Sequence, residues 1–190
     1  FRSVVAGGLL GGGIGLLVGI ALALSGVARR IVSPYLVAAQ STPILALGPV
    51  LVLWFGPGLA AKIAVCALIT LFPVAISTLV AVRDVDPGSL ELMRSLGASR
   101  WQSLWLVRLP AARGGILAGA RVAATLAVVG AIVGEWLGGT AGLGVLLNLA
   151  RGSLFDTPLL FAALLQIALM GVTAYGAVLL VERITSRRVA

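Results

Sequence analysis

Five apolar stretches, each at least as long as the ~20 residues a helix needs to cross roughly 30 Å of hydrocarbon, dominate this sequence. They cover residues 3–28, 31–61, 63–82, 114–137 and 157–181. Hydrophobic residues make up 60% of the chain, charged ones 11%, and the mean hydropathy is +1.14, far from any ordinary soluble domain. Backbone polar groups in lipid must be satisfied within their own segment, and the stretches lack the period-two alternation of barrel strands, so they are expected to be helices. The sequence therefore predicts an all-α integral membrane bundle with five visible spans.

The charges are few and unevenly placed. Thirteen of the fourteen basic residues are Arg, against six Asp and Glu, and they flank the apolar stretches, which fits loops facing an anionic leaflet better than a nucleic-acid surface. Arg29 and Arg30, the loop with Arg83, Arg94, Arg100, Arg108 and Arg113, and the tail with Arg183, Arg187 and Arg188 fall on one side of the predicted topology. Arg2, Lys62 and Arg151 fall on the other, and Arg121 lies within a span. By the positive-inside rule the first group, and with it the C-terminus, is expected in the cytoplasm. The first span then starts outside, so a protein with a cytoplasmic N-terminus needs one further upstream helix and the five spans become five of six. No cleavable signal segment is visible after Phe1. A single cysteine, Cys66, and no histidine leave no disulfide framework and no His or Cys metal site within the chain.

Within the first span Gly7, Gly11, Gly15 and Gly19 recur every four residues, a stripe that lets a neighbouring backbone approach closely. The second span carries Pro34, Pro43 and Pro49 around Gln40, Ser41 and Thr42. Each proline lacks a donor and clashes with the preceding turn, so this span is expected to kink or break near mid-membrane. Broken helices expose polar backbone where they face protein or water, which makes Gln40, Ser41, Thr42 and Pro43 candidates for a translocation pathway; an ordinary kinked span is the other reading. Trp54 and Phe55 before Gly56, Pro57 and Gly58 read as an interfacial aromatic pair and a tight external turn.

Between residues 82 and 114 the chain leaves the apolar regime, and its local chemistry spells two short helices. Asp86 with Pro87 opens the first and Gly97 closes it in a left-handed conformation. Ser99 to Gln102 is a capping box that opens the second, which is expected to run Trp101, Leu104, Trp105 and Leu109 along one face until Pro110. An apolar aromatic stripe on a capped loop points to a partner, or to a helix lying flat on the membrane with its arginines on lipid phosphates.

The spacing of this loop resembles a known motif. Glu91, Gly97 six residues on, then Val107, Leu109 and Pro110 match the EAA loop of ABC-importer permeases, E-A-A-x3-G-x9-I-x-L-P, with Leu92 and Met93 in place of the two alanines and Val107 in place of isoleucine. The run GASRWQSLWLVRLPAARGGILAGARVA, together with STPILALGPVLVLWFGPG and AIVGEWLGGTAGLGVLL, is similar to the nitrate, sulfonate and taurine branch of that family. The resemblance covers nearly the whole chain and lacks the family's first membrane helix.

The resemblance implies a type I (MetI-like) helical bundle: one transmembrane permease domain over residues 1–190, with residues 83–113 forming its coupling loop. It also implies a non-enzymatic transport subunit in a bacterial inner membrane, assembled with a second permease copy or homologue, two ABC ATPase subunits that bind ATP and Mg, and an extracytoplasmic solute-binding protein. No cofactor is implied for the chain itself, which has no G-x-x-x-x-G-K-S/T phosphate loop. By position, Glu91, Gly97, Ala98 and Ser99 would form the ATPase contact, flanked by Arg94 and Arg100, with Pro110 at the return to the membrane. The implied cargo is a small solute such as nitrate, a sulfonate, taurine, or a pyrimidine or flavin compound.

Three further charges carry expectations. Arg121 is expected to snorkel toward headgroups. Glu135 either sits at the outer interface or faces the cavity, and it matches the family's Glu in position. Asp156 before Thr157 and Pro158 reads as the cap of the last helix. The glycines between residues 138 and 144, followed by an apolar turn and Arg151, are expected to fold back as a short external helix that gates the path or meets a binding protein. An ion-coupled secondary transporter or channel is the alternative. It would use the proline-broken span and Glu135, but no internal inverted repeat is visible to support it.

Overall fold

Caps, prolines and apolar length decide where this chain turns. The computed structural model describes residues 1–41, 43–152 and 155–186, and all the regular structure among them is helical. Helix α1 spans Arg2–Leu24, α2 Gly26–Ser41, α3 Ile44–Phe55 and α4 Leu59–Arg83. Helices α5 (Pro87–Ser95) and α6 (Arg100–Ser103) form the loop, and a π turn over Leu104–Arg108 leads into α7 (Leu109–Gly138). Helices α8 (Leu143–Gly152) and α9 (Thr157–Ser186) complete the chain. Among the described residues, four helical segments are long and apolar enough to cross a membrane: Arg2–Leu24, Leu59–Arg83, Arg100–Gly138 and Thr157–Thr185. Helices α2 and α3 supply a fifth if taken as one span, bent by 97°. Arg187 and Arg188 lie outside the described residues.

One boundary differs from the sequence expectation. The first span stops at Leu24, because Ser25 is extended (φ −116°, ψ 108°). Its hydroxyl accepts from the Ala28 N–H at 3.2 Å, so one residue ends α1 and caps the helix that follows. The second span breaks as expected, into two helices bent by 97°. Pro43 stands extended at the N-cap of α3, while Pro34 and Pro49 are absorbed inside their helices. The external turn forms as expected, with Gly56 at φ +74° and Gly58 at φ +138°.

Helix α4 is the centre of the bundle, packed along its length by α1 and by α7. The glycine stripe of α1 makes the first contact: a Cβ at Gly15 would stand 2.5 Å from Leu71 O, and one at Gly19 2.6 Å from Ala75 O. A Cβ at Gly11 would overlap the Ala67 carbonyl and the Thr70 hydroxyl. A second stripe, not anticipated from the sequence, lies on α7. Gly115 faces Ala81, Gly119 faces Ser77, Gly130 faces Cys66 and Gly134 faces Lys62, with Ala123, Ala127 and Ala131 buried between them. Helices in lipid gain little from hydrophobic burial against one another, so backbone-to-backbone contact of this kind supplies dispersion and holds the three together. Cys66 sits where all three meet, its thiol donating to Ala127 O at 3.4 Å. Thr70 Oγ1 donates to Cys66 O at 2.9 Å, within hydrogen-bond reach of Gly7 O as well.

Helix α9 packs on α7 and α8 and leaves most of its surface open. Asp156 caps it by accepting from Leu159 N at 3.0 Å. The guanidinium of Arg121 on α7 pairs with Glu182 on α9 at 3.1 Å, a partner the sequence did not indicate.

Candidate functional site

The loop between α4 and α7 is built almost wholly from local hydrogen bonds. Asp86 Oδ2 accepts from the Ser89 N–H at 2.7 Å and from its hydroxyl at 2.9 Å, fixing the first turn of α5 behind Pro87. These bonds, the backbone one foremost, hold the Asp86 carboxyl below the usual carboxylate range. At the other end Gly97 takes φ +73°, with Gly97 N on Arg94 O and Ala98 N on Met93 O, both at 2.9 Å. This is a Schellman closure. Nothing lies within 4 Å of a Cβ placed on Gly97, so the glycine is required by its backbone conformation and not by space. The capping box forms as the sequence predicts, with Ser99 N donating to Gln102 Oε1 at 2.7 Å and Gln102 N to Ser99 Oγ at 3.2 Å.

Beyond the box the structure departs from expectation. Pro110 does not end the helix; it lies in the first turn of α7, and α6, the π turn and α7 form one continuous rod, Arg100–Gly138. Proline has no N–H and its ring crowds the carbonyl four residues back. The π turn, in which Leu109 N donates to Leu104 O, lies directly before it; such a bulge widens the ladder where proline would otherwise break it. The expected apolar face also divides. Leu104 is 1% exposed, packed with Val82 and Ala112 against Ile20, Ala23 and Leu24, whereas Trp101 and Trp105 are each 65% exposed. Leu104 thus pins the loop to the ends of α1, α4 and α7 and leaves the tryptophans, Leu106, Leu92 and Leu96 outside. Glu91 is also exposed. Arg94, Ala98 and Arg100 line a cavity between the loop and the α1–α2 junction.

The pathway candidates are not brought to one place. Gln40 and Pro43 line a cavity of about 480 Å³ between the α2–α3 elbow, α4 and α7, with Phe72, Pro73, Leu126 and Val129 among its other walls. Thr42 lies outside the described residues, as does the Ser41 side chain. Glu135 is not part of this cavity. Its Oε2 accepts from Gly144 N at 2.6 Å, Trp136 Nε1 donates to Gly144 O at 2.8 Å, and Lys62 Nζ donates to Ala141 O at 3.1 Å. A Cβ on Gly142 would overlap the Glu135 carboxylate. Three side chains therefore staple the glycine loop and the start of α8 onto the ends of α4 and α7. The expected short helix is present, and the sequence did not reveal the Lys62 contact because its partner is a backbone carbonyl brought close by folding alone. Among the described residues no group of His, Cys, Asp or Glu is placed to hold a metal.

A bundle of this order, carrying a doubly capped loop with Glu91, Gly97 and Pro110 in register, defines the class of type I importer permeases. Residues 11–189 match the family described as the inner membrane component of binding-protein-dependent transport systems, and the chain belongs to that family. Relatives include the riboflavin transport system permease protein RibX of Chloroflexus aurantiacus, 44% identical over 84% of this chain and 59% of the relative. The formylaminopyrimidine transport permease protein ThiX of Halalkalibacterium halodurans is 35% identical over 90% and 68%. A putative aliphatic sulfonates transport permease protein, SsuC of Bacillus subtilis, is 36% identical over 93% and 64%. The chain thus spans roughly three-fifths to two-thirds of the length of these relatives. The fold matches a solved structure of the MetNI methionine ABC transporter in an inward-facing conformation, with a TM-score of 0.84 over 96% of this chain and 91% of that one at 22% identity.

Proposed function

We propose that this chain is the translocating subunit of an ATP-driven importer in a bacterial inner membrane, with its loop and C-terminus in the cytoplasm. Two such subunits, identical or homologous, enclose the path, two ATPase subunits bind ATP and Mg, and an extracytoplasmic binding protein delivers the solute. The cargo is a small organic solute or anion of the kinds that the relatives' names describe: a flavin, a pyrimidine or a sulfonate.

One observation carries this reading: the loop is rigid by its own caps, pinned by Leu104, and apolar on its outer side. An ATPase groove would receive Glu91, Gly97, Ala98 and Ser99, with Arg94 and Arg100 at its flanks and Pro110 at the return to the membrane. Because α6 and α7 are one rod, displacement of the docked end moves α7 as a lever. Its far end carries Glu135 and Trp136, which hold the α8 loop. Motion imposed at the loop therefore reaches the opposite face, as alternating access requires. Gln40 and Pro43 at the elbow lie on the face of α4 and α7 where that motion would open or close space.

Affinity purification of the tagged full-length protein, with mass spectrometry and an ATP hydrolysis assay on the eluate, tests this. A stoichiometric ATPase is expected with the wild type and not with Gly97→Asp, while both proteins elute as folded species. Recovery of the same ATPase with Gly97→Asp would move the docking site elsewhere; its absence from the wild type in several detergents would remove the importer reading.

A further inference from the structure

On the bundle side of the loop lies a cavity of about 430 Å³ whose walls include Arg94 on α5, Arg100 on α6 and Arg108 on the π turn. Leu24 and Ala23, from the last turn of α1, and Gly26, the first residue of α2, close its other side. No carboxylate is among the lining residues. Among the described residues none of the three arginines has an ion-pair partner, and Arg108 makes one long hydrogen bond, 3.5 Å to Val82 O. Three guanidiniums around one small space repel one another unless an anion sits between them. Arg29 and Arg30 follow within a turn on α2 and add to the positive potential.

We propose that this cavity binds a phosphate ester, the headgroup of an anionic phospholipid. Guanidinium is planar and matches phosphate oxygens two at a time, which suits phosphate better than a diffuse counterion. The depth decides the source: Ala23 and Leu24 belong to the end of a membrane-spanning helix, so the cavity opens at headgroup level, with an apolar wall for the glycerol and first acyl carbons. Basic pockets between membrane helices are known to take lipid headgroups in this way. The bound phosphate would tie α5 and α6 to the α1–α2 junction. The cavity shares Arg94, Ala98 and Arg100 with the loop that the importer reading docks to an ATPase; Arg108, which that reading does not use, separates the two.

The test uses the purified full-length protein without partners. Native mass spectrometry from mixed phosphatidylcholine and phosphatidylglycerol micelles is expected to show phosphatidylglycerol retained by the wild type, retained about tenfold less by Arg108→Gln, and retained fully by Arg151→Gln, whose arginine lies on α8. Arg108→Lys, which keeps the charge but not the fork, is expected to fall between. Short-chain phosphatidylglycerol is expected to raise the Tm of the wild type, and short-chain phosphatidylcholine is not. A comparable rise with inorganic phosphate would assign the cavity to a soluble anion and overturn the lipid source. Equal retention by wild type and Arg108→Gln, or no Tm response to either anion, would overturn the site. In the affinity purification described above, loss of the ATPase subunit from Arg108→Gln with neither anion bound would overturn the lipid site and assign the arginines to that partner.

Discussion

Adjacent glycines in α1 have opposite roles. Gly11 faces the α4 backbone, where a Cβ would overlap the Ala67 carbonyl, while Gly12 has nothing within 4 Å. Gly11→Ala is expected to separate α1 from α4 and destabilise the bundle by about 1–3 kcal/mol, on the order of an overpacked core. Gly12→Ala is expected to be neutral or to stabilise by up to about 1 kcal/mol through lost backbone freedom. Thermal unfolding in one detergent checks both, and equal Tm losses would refute the assignment of faces. Asp86 offers a second residue-level prediction. Its carboxyl is held below its unfolded value by Ser89, so the cap is at full strength at neutral pH and is lost as pH falls through the depressed folded pKa. Amide exchange in the first turn of α5, corrected for intrinsic rates, is expected to quicken over that acidic window and not above it. Asp86→Asn, whose side chain does not titrate, should remove this pH dependence.

At the scale of elements, the α8 loop depends on side chains from two other helices. Glu135→Ala removes the acceptor of the Gly144 N–H and leaves Lys62 and Trp136 in place. Exchange of the amides over residues 139–144 is expected to rise about tenfold, the effect of one lost charge-assisted hydrogen bond. Glu135→Gln keeps an acceptor and should rise less. If Glu135 served the cargo instead, Glu135→Gln would lower transport while leaving loop exchange unchanged. The capped loop behaves differently, because its bonds close within three to five residues. Asp86, Gly97 and the Ser99–Gln102 box were therefore legible in the sequence, whereas the division of Leu104 from Trp101 and Trp105 was not. Helical spacing places all three near one stripe, and only the position of α1, α4 and α7 selects which one is buried.

For the molecule as a whole, α9 is the least buried of the four long membrane helices, and an ion pair ties it to α7. Arg121 and Glu182 are 27% and 26% exposed at the side chain, so the pair is screened only in part. Arg121→Leu removes the guanidinium from Glu182 and is expected to lower the Tm; adding Glu182→Leu should restore part of the loss. A double-mutant cycle showing no coupling would mean that the pair contributes nothing to α9 attachment.

The amino-acid sequence by itself determined that this chain crosses a membrane as helices, roughly how many times, where the loop helices start and stop, and which family's motif the loop carries. Those features depend on apolar length and on hydrogen bonds between near neighbours. Tertiary structure alone decided that α4 is the axis, that the small residues of α7 oppose those of α1 across it, that Arg121 finds Glu182, that Lys62 and Glu135 hold one loop, and that three arginines surround one cavity. Each of these joins residues distant in sequence, and periodicity within a helix states which residues share a face but not which helix that face will meet.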